Sequence, residues 1–403
     1  MDTVDVSDNR LKQPAQRHLE NYSTEPPASA YRSGPTCRDL YSIEFNNVDP
    51  RYSNVFACVG GQKVKIFLVE EASTRGGEAD EPLAKLVQEY VDHRGLVHKV
   101  HHQSGQRRDP ERGEEYYCCA WSVANNGDPL LCFGGKLAII KVVNYKSRRV
   151  VNAMQGHGNE LFELKGHPTK LGIICSASKD QSVRLWNVQT GTVIMILAGL
   201  DGHKADVITA DFHQLSGDRL ASGAEDHTAK IWDLKRYEDL LDKSFSWEGH
   251  PSTFPTAYMQ TPAFSTNPHD HYVDCVCWYG DLLLTKSTQG SIILWKPEYG
   301  ADGTCDGALP LKTFKIDDIN IFFVRFSVTV EGSRSLLALG NSLGKVFIWD
   351  IEAKSANPKE IVRLSAATRQ PGVSKLVRRT AFSYGGRYLG CVTDNLVCVW
   401  KFL

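Results

Sequence analysis

Five short strings decide the fold of this chain: SVRLWNV (182–188), TAKIWDL (228–234), SIILWKP (291–297), KVFIWDI (345–351) and LVCVWKF (396–402). Each runs in a strand-like alternation up to a tryptophan, at Trp186, Trp232, Trp295, Trp349 and Trp400, and each follows a polar turn. Such a two-residue period, rich in β-branched and aromatic side chains, describes a strand. Six residues before the tryptophans stand Asp180, Asp226, Gln289, Leu343 and Asp394, mostly turn formers. Relaxing the tryptophan requirement adds GGQKVKIFLV (60–69), with Phe67 at the anchor, and GGKLAIIKVV (134–143), with Lys141 there. Seven anchors separated by 45–74 residues describe seven copies of one small sheet, the longer intervals carrying insertions. The prediction is an all-β, seven-bladed β-propeller.

The interior of the units names the repeat. Gly156-His157 and Gly202-His203 stand upstream of Asp180 and Asp226, and a turn Asp with a buried His and Trp is the hydrogen-bonded set that locks a WD40 blade. Gly166-His167 lies outside that offset and reads as a turn. Behind Trp400 a blade has completed its third strand and still lacks its outermost one, which would leave a bare sheet edge. A segment within residues 28–40 is expected to fill that place and close the ring. Residues 1–37 then form a tail, mostly disordered, that carries the closing strand, and 38–403 form the propeller, with insertions at about 71–115 and 235–271. The first insertion holds His93, His98, His101 and His102 at spacings that suit no zinc pattern and reads as a solvated loop. The second opens on a short helix, and its aromatics either pack on the propeller edge or meet a partner.

Composition removes several functions. With 46 basic against 47 acidic side chains, the chain has no electrostatic footprint for nonspecific or sequence-specific nucleic-acid binding. It has no run of about 18 apolar residues, so no membrane span is expected, and residues 1–40 lack the apolar core of a secretory signal. Eleven cysteines, an odd number and several of them inside apolar alternations, read as reduced thiols of a cytosolic or nuclear protein. No GxxxxGK[ST], GxSxG or HExxH string and no Cys-x-x-Cys pair is present, so no enzyme, no metal and no cofactor is expected.

Longer strings are more specific. HYVDCVCWYGDLLLTKS (271–287), ASKDQSVRLWNVQTGTVIMILAGLDGH (177–203), IFFVRFS (321–327), LALGNSLGKVFIWDIE (337–352) and YSIEFN (41–46) together resemble the Polycomb-group WD40 family of embryonic ectoderm development and extra sex combs. KSFSWEGHPSTFPT (243–256) looks most like its plant branch, fertilization-independent endosperm. The resemblance covers about residues 38–403. It implies a nuclear, non-catalytic subunit of Polycomb repressive complex 2, a transcription repressor. Its implied partners are a SET-domain methyltransferase subunit held as a helix in a propeller groove, a zinc-finger Polycomb subunit, and the trimethylated histone H3 tail. An aromatic cage would read trimethyl-lysine there and stimulate the methyltransferase.

The resemblance assigns that cage to Phe45, Tyr117, Phe322 and Phe323, with Arg325 lining the same pocket or packing its stem on the sheet. A trimethylammonium has no N–H to donate, so aromatic faces are its apt receptor. Tyr116 is the alternative to Tyr117, since strand alternation aims only one of the two at the channel. The family has Trp then Tyr or Phe where this chain has Phe322-Phe323, and a looser cage is expected. The rival readings are a substrate receptor of a cullin-type ubiquitin ligase, disfavoured because Lys235 stands where such rings carry Arg after the Trp-Asp pair, and a propeller hydrolase, for which no convergent carboxylates stand out.

Overall fold

A computed structural model of the chain describes residues 29–32, 40–70, 83–91, 113–300, 305–319, 321–331, 334–358, 360–363 and 375–401. The alternating segments pair, strand after strand, into seven sheets that are antiparallel save for one added strand. Blade 1 holds Leu40–Phe45, Val55–Gly60, Lys63–Glu70 and Leu83–Val91. Blade 2 holds Tyr116–Val123, Pro129–Gly135, Ile139–Asn144 and Arg149–Gln155. Blades 3 to 6 begin with Leu161–Gly166, Val207–Phe212, Val273–Tyr279 and Ser327–Glu331. Blade 7 holds Val377–Phe382, Tyr388–Thr393 and Leu396–Lys401, and its fourth strand is Ser29–Arg32. The pairing of Ser29 with Val399 and of Arg32 with Leu396 closes the ring as expected.

Each blade twists against its neighbours, and the apolar face of one sheet is buried by the next. The described core is accordingly seven seams: Trp186 of blade 3 packs among blade 2 residues such as Cys132 and Ile140, and Phe45 and Phe56 of blade 1 pack with Val397 and Val399 of blade 7. Cys132, Cys175, Cys275 and Cys391 sit in these seams as buried free thiols, with Cys275 pushed up to about 12 by burial.

The blade locks form where the Gly-His pairs placed them. In blade 3 His157 Nδ1 lies 2.8 Å from Asp180 Oδ2, its Nε2 lies 2.6 Å from Ser176 Oγ, and Trp186 Nε1 donates to the same hydroxyl at 2.8 Å. Blade 4 repeats this with His203, Asp226, Ser222 and Trp232. Blade 5 keeps the His269, Thr285 and Trp295 part, without a Gly before the histidine and with Gln289 in the place of the aspartate. His167, outside the set, holds a turn by accepting from the N–H of Thr169 and Lys170.

Two expectations are corrected. The anchor of blade 2 is Val143, not Lys141. In blades 1, 2, 3 and 5 the pairing of third and fourth strands slips by one residue at the anchor, at Phe67, Val143, Trp186 and Trp295. Lys141 stands two residues earlier, opposite Phe133, with its ammonium donating to Tyr116 Oη at 2.9 Å. Second, part of each supposed insertion belongs to the sheets. Leu83–Val91 is the outer strand of blade 1, and Phe264–Thr266 that of blade 4. Ala257–Met259 adds a parallel fifth strand to blade 3. The helix Glu238–Lys243 opens the second insertion as expected, and Leu241, Phe254 and Trp247 settle the fate of its apolar groups by packing on the seam of blades 3 and 4. The four insertion histidines and residues 1–28 lie outside the described residues.

Candidate functional site

The site is made by one backbone irregularity repeated around the ring. In six of the seven innermost strands the second residue is skipped by the pairing with the neighbouring strand. Leu40 faces Gly60 and Ser42 faces Val59, which leaves Tyr41 unopposed. The same slip leaves out Tyr117, Phe162, Ile208, Asp274 and Arg378. A β-bulge of this kind bends the strand and re-aims the extra side chain. In blade 6 the innermost segment bridges blade 7 instead, Arg325 to Arg379, and Phe323 just before it adopts φ 68°. A positive φ on a bulky residue costs on the order of 1–3 kcal/mol, strain that tends to collect at functional sites.

Four of these side chains, those of Tyr41, Tyr117, Phe162 and Arg378, meet with Phe323 at one mouth of the channel. Tyr41 and Tyr117 stand edge to face with centroids 5.0 Å apart, and Phe323 lies 5.9 Å from Tyr41 and 6.1 Å from Tyr117. Phe322 packs on Phe323 at 5.1 Å and remains 42% exposed, at the rim. Phe162 stands 5.6 Å from Phe323 and 6.5 Å from Tyr117. At these separations the rings touch one another, so a guest enters by parting them. Burial, reinforced by the hydrogen bond to Glu115, pushes the Tyr117 phenol up, and it donates to Glu115 Oε2 at 3.0 Å. The Arg378 guanidinium lies 5.0 Å from the centre of the Tyr41 ring, with its Nε donating to Asp394.

Below the rings the channel is crossed by charge. Arg325 is buried with its guanidinium 4.6 Å from the Phe323 centroid, and its Nη2 donates to the carbonyls of Phe162 and Ile208 at 2.9 and 2.7 Å. Its Nη1 lies 2.5 Å from Glu163 Oε1, which Arg379 reaches at 3.1 Å, and Arg379 also binds Glu44 at 2.9 Å. Arg325 thus combines the two placements considered for it: its head is hydrogen-bonded, and it lies beneath the rings. Burial raises the Glu163 carboxyl, and the two guanidiniums with Lys165 outweigh it and leave it below its ordinary value. Nearby, Lys286 and Asp274 make a fully buried pair at 2.7 Å.

Of the expected cage residues, Tyr117, Phe322 and Phe323 come together and Phe45 does not. Phe45 sits at the far end of its strand, about 13 Å along from Tyr41 at strand rise, in the seam against Phe56 at 5.1 Å. Tyr41, of the same strand, stands with the other three rings. Tyr116 turns away from the cage to pack on Phe133 at 4.9 Å. Among the described residues no three His, Cys, Asp or Glu gather as for a metal, and no helix is long and apolar enough to cross a membrane.

The WD domain, G-beta repeat model matches residues 150–187 and 194–233. The chain is 36% identical to Polycomb group protein FIE2 of Zea mays over 90% of its own length and 88% of that protein. It is 35% identical to Polycomb protein esc of Drosophila melanogaster over 73% and 70%. The chain belongs to the FIE and esc family of Polycomb WD-repeat proteins. A solved relative in fold, at 18% identity and TM-score 0.70 over 94% of this chain and 98% of the other, is a chain of the Chaetomium thermophilum assembly described as "Structure of ctPRC2 in complex with H3K27me3 and H3K27M". Placed in register, the inner strands of this FIE and esc family member show how Phe45 and Tyr41 differ. LYSIEF, YYCCAW, VITADF, VDCVCW and VRRTAF share an aromatic sixth residue, Phe45, Trp121, Phe212, Trp278 and Phe382, all buried. The second residue is the one that reaches the mouth, a column that also holds Phe162 and Arg378.

Proposed function

We propose that the chain is the non-catalytic WD-repeat subunit of Polycomb repressive complex 2 in the nucleus, and that its channel mouth reads trimethyl-lysine on the histone H3 tail. The carrying observation is the meeting of Tyr41, Tyr117, Phe322 and Phe323 from blades 1, 2 and 6 at one point. Four rings and no carboxylate among them suit a cation that cannot donate a hydrogen bond. The family relationship supports the assembly, and so does the fold relative, a chain of a ctPRC2 assembly in complex with H3K27me3. In this reading the propeller also scaffolds a SET-domain methyltransferase subunit through a helix in a groove, alongside a zinc-finger Polycomb subunit, and cage occupancy stimulates methylation and maintains silencing.

Because the rings touch one another, entry of a guest requires one of them to swing out. Phe322, 42% exposed at the rim, is the ring with the most room to move. Binding of H3 peptides followed by fluorescence polarisation tests the reading. Affinity should rise with trimethylation and fall about tenfold in Tyr41→Ala and in Tyr117→Ala, the worth of one desolvated ring. Phe45→Ala should lower the melting temperature and leave the affinity of the folded fraction intact. Indifference of the wild-type chain to methylation would overturn the reader role, and co-purification with a SET-domain subunit checks the scaffold role independently.

A further inference from the structure

We infer that Phe162 is a fifth, immovable wall of the cage and that it sets the selectivity of the site for a quaternary ammonium over ammonium groups that keep an N–H. The inference rests on the reading of this site as a methyl-lysine cage and concerns a residue outside the expected set.

The centroids of Tyr41, Tyr117, Phe162 and Phe323 form two triangles that share the 6.1 Å edge from Tyr117 to Phe323, with Tyr41 5.0 and 5.9 Å from its ends and Phe162 6.5 and 5.6 Å from them. Phe162 is thus the corner opposite Tyr41. When Tyr117 and Phe323 part to admit a guest, the space that opens between them is bounded by Tyr41 on one side and by Phe162 on the other.

Phe162 itself has nowhere to go. It is 5% exposed, and it occupies the bulge of the inner strand of blade 3. Its carbonyl is gripped by Arg325 at 2.9 Å, and the same guanidinium is ion-paired at 2.5 Å to Glu163, the next residue in the chain. Phe322, by contrast, stands at the rim, 42% exposed. The cage has one yielding side and one fixed side.

The chemistry of the fixed side decides what is accepted. A monomethyl or dimethyl ammonium brings one or more N–H groups that lose water on entry, and a buried donor without an acceptor costs about 1–3 kcal/mol. The acceptors behind Phe162 are engaged already. The carbonyls of Phe162 and Ile208 accept from Arg325, and Glu163 takes Arg325, Arg379 at 3.1 Å and the Thr209 hydroxyl at 2.6 Å. The Phe162 ring therefore offers an incoming cation a π face and no acceptor. A trimethylammonium loses nothing by this, and the lower methylation states do.

The test measures affinities of the full chain for H3 peptides carrying mono-, di- and trimethyl-lysine, with Phe162→Leu and Phe162→Glu beside wild type. The ratio of two affinities on one preparation does not depend on how much of it is folded, so a destabilised variant remains informative. Wild type should prefer the trimethyl over the monomethyl peptide tenfold or more. Phe162→Leu, which keeps an apolar wall and removes the π face, should compress that ratio about fivefold through loss of the trimethyl peptide. Phe162→Glu, which adds an acceptor, should erase or reverse it. If both variants keep the wild-type ratio, Phe162 is only a packing residue and the inference fails while the cage stands. If wild type itself shows no preference, the cage reading fails and takes the inference with it.

Discussion

Tyr41 and Phe45 stand four residues apart in one strand, and one faces the channel mouth while the other fills a seam. Both are aromatic, and both lie in the YSIEFN string that carries the family resemblance. What separates them is a single unopposed residue, a backbone event with no composition of its own. Tyr117, Phe322 and Phe323 were legible because their strings are distinctive; Phe162 and Arg378 were not, because LFELKG and VRRTAF look like ordinary strand openings. Glu163 shows the same limit for charge. It sits in a strand with no motif, yet it pairs with both Arg325 and Arg379. Replacing it by Gln leaves two buried guanidiniums with one fewer countercharge, and the expected loss is about 3–5 kcal/mol. Urea unfolding followed by circular dichroism checks this, and a Glu163→Gln protein as stable as wild type would show that the network is not a structural tie.

At the scale of the element, the blade repeat could be read wherever a tryptophan marked it, and slipped where it did not. Val143 carries the anchor of blade 2 two residues beyond Lys141, since an apolar alternation without Trp offers no phase marker, and only the slip against the fourth strand fixes it. The closing strand was legible for a physical reason, the bare edge that Leu396–Lys401 would otherwise present. Its partner Ser29–Arg32 covers that edge over four residue pairs. A chain lacking residues 1–32 should melt several degrees lower and self-associate on size-exclusion chromatography, whereas one lacking residues 1–28 should match the full chain. Equal behaviour of both truncations would mean that the edge needs no cover.

For the whole molecule, the buried histidines set a direction of pH dependence. Burial brings His167 and His269 down to about 4. It also lowers His157 and His203, although Asp180 and Asp226 pull the other way. The unfolded chain takes up protons below about pH 6.5 that these imidazoles refuse, so each removes about 1.4 kcal/mol of stability per pH unit until its folded value is reached. Asp211 works in the opposite sense. Burial pushes it up to about 6 and also raises Asp206, Glu225 and Asp274, so these carboxyls bind protons first in the folded state and offset part of the loss, to which His213, lowered by burial, also adds. Below about pH 4, Asp180 and Asp226 join the loss. Burial tends to raise them, but hydrogen bonds led by those of His157 and His203 hold them well below the carboxylate range, and protonation takes that stabilisation away. The melting temperature should therefore fall steadily from pH 7.5 to pH 5 in differential scanning fluorimetry. A flat profile would mean that the imidazoles reach water in the native ring.

The bulge at the second position of the inner strands has a consequence for how such a ring diversifies. The seams are held by other columns of the strands, and the column of Tyr41, Tyr117, Phe162, Ile208, Asp274 and Arg378, with Phe323 of blade 6, stands apart from them. They amount to a seven-letter word written on a scaffold that does not read it. Two of its letters, Asp274 with its buried lysine and Arg378 with Asp394, are bound to partners elsewhere in their blades. The four rings of the column, Tyr41, Tyr117, Phe162 and Phe323, are the letters that meet one another, which makes this mouth a place where new ligand preferences can be selected by single substitutions.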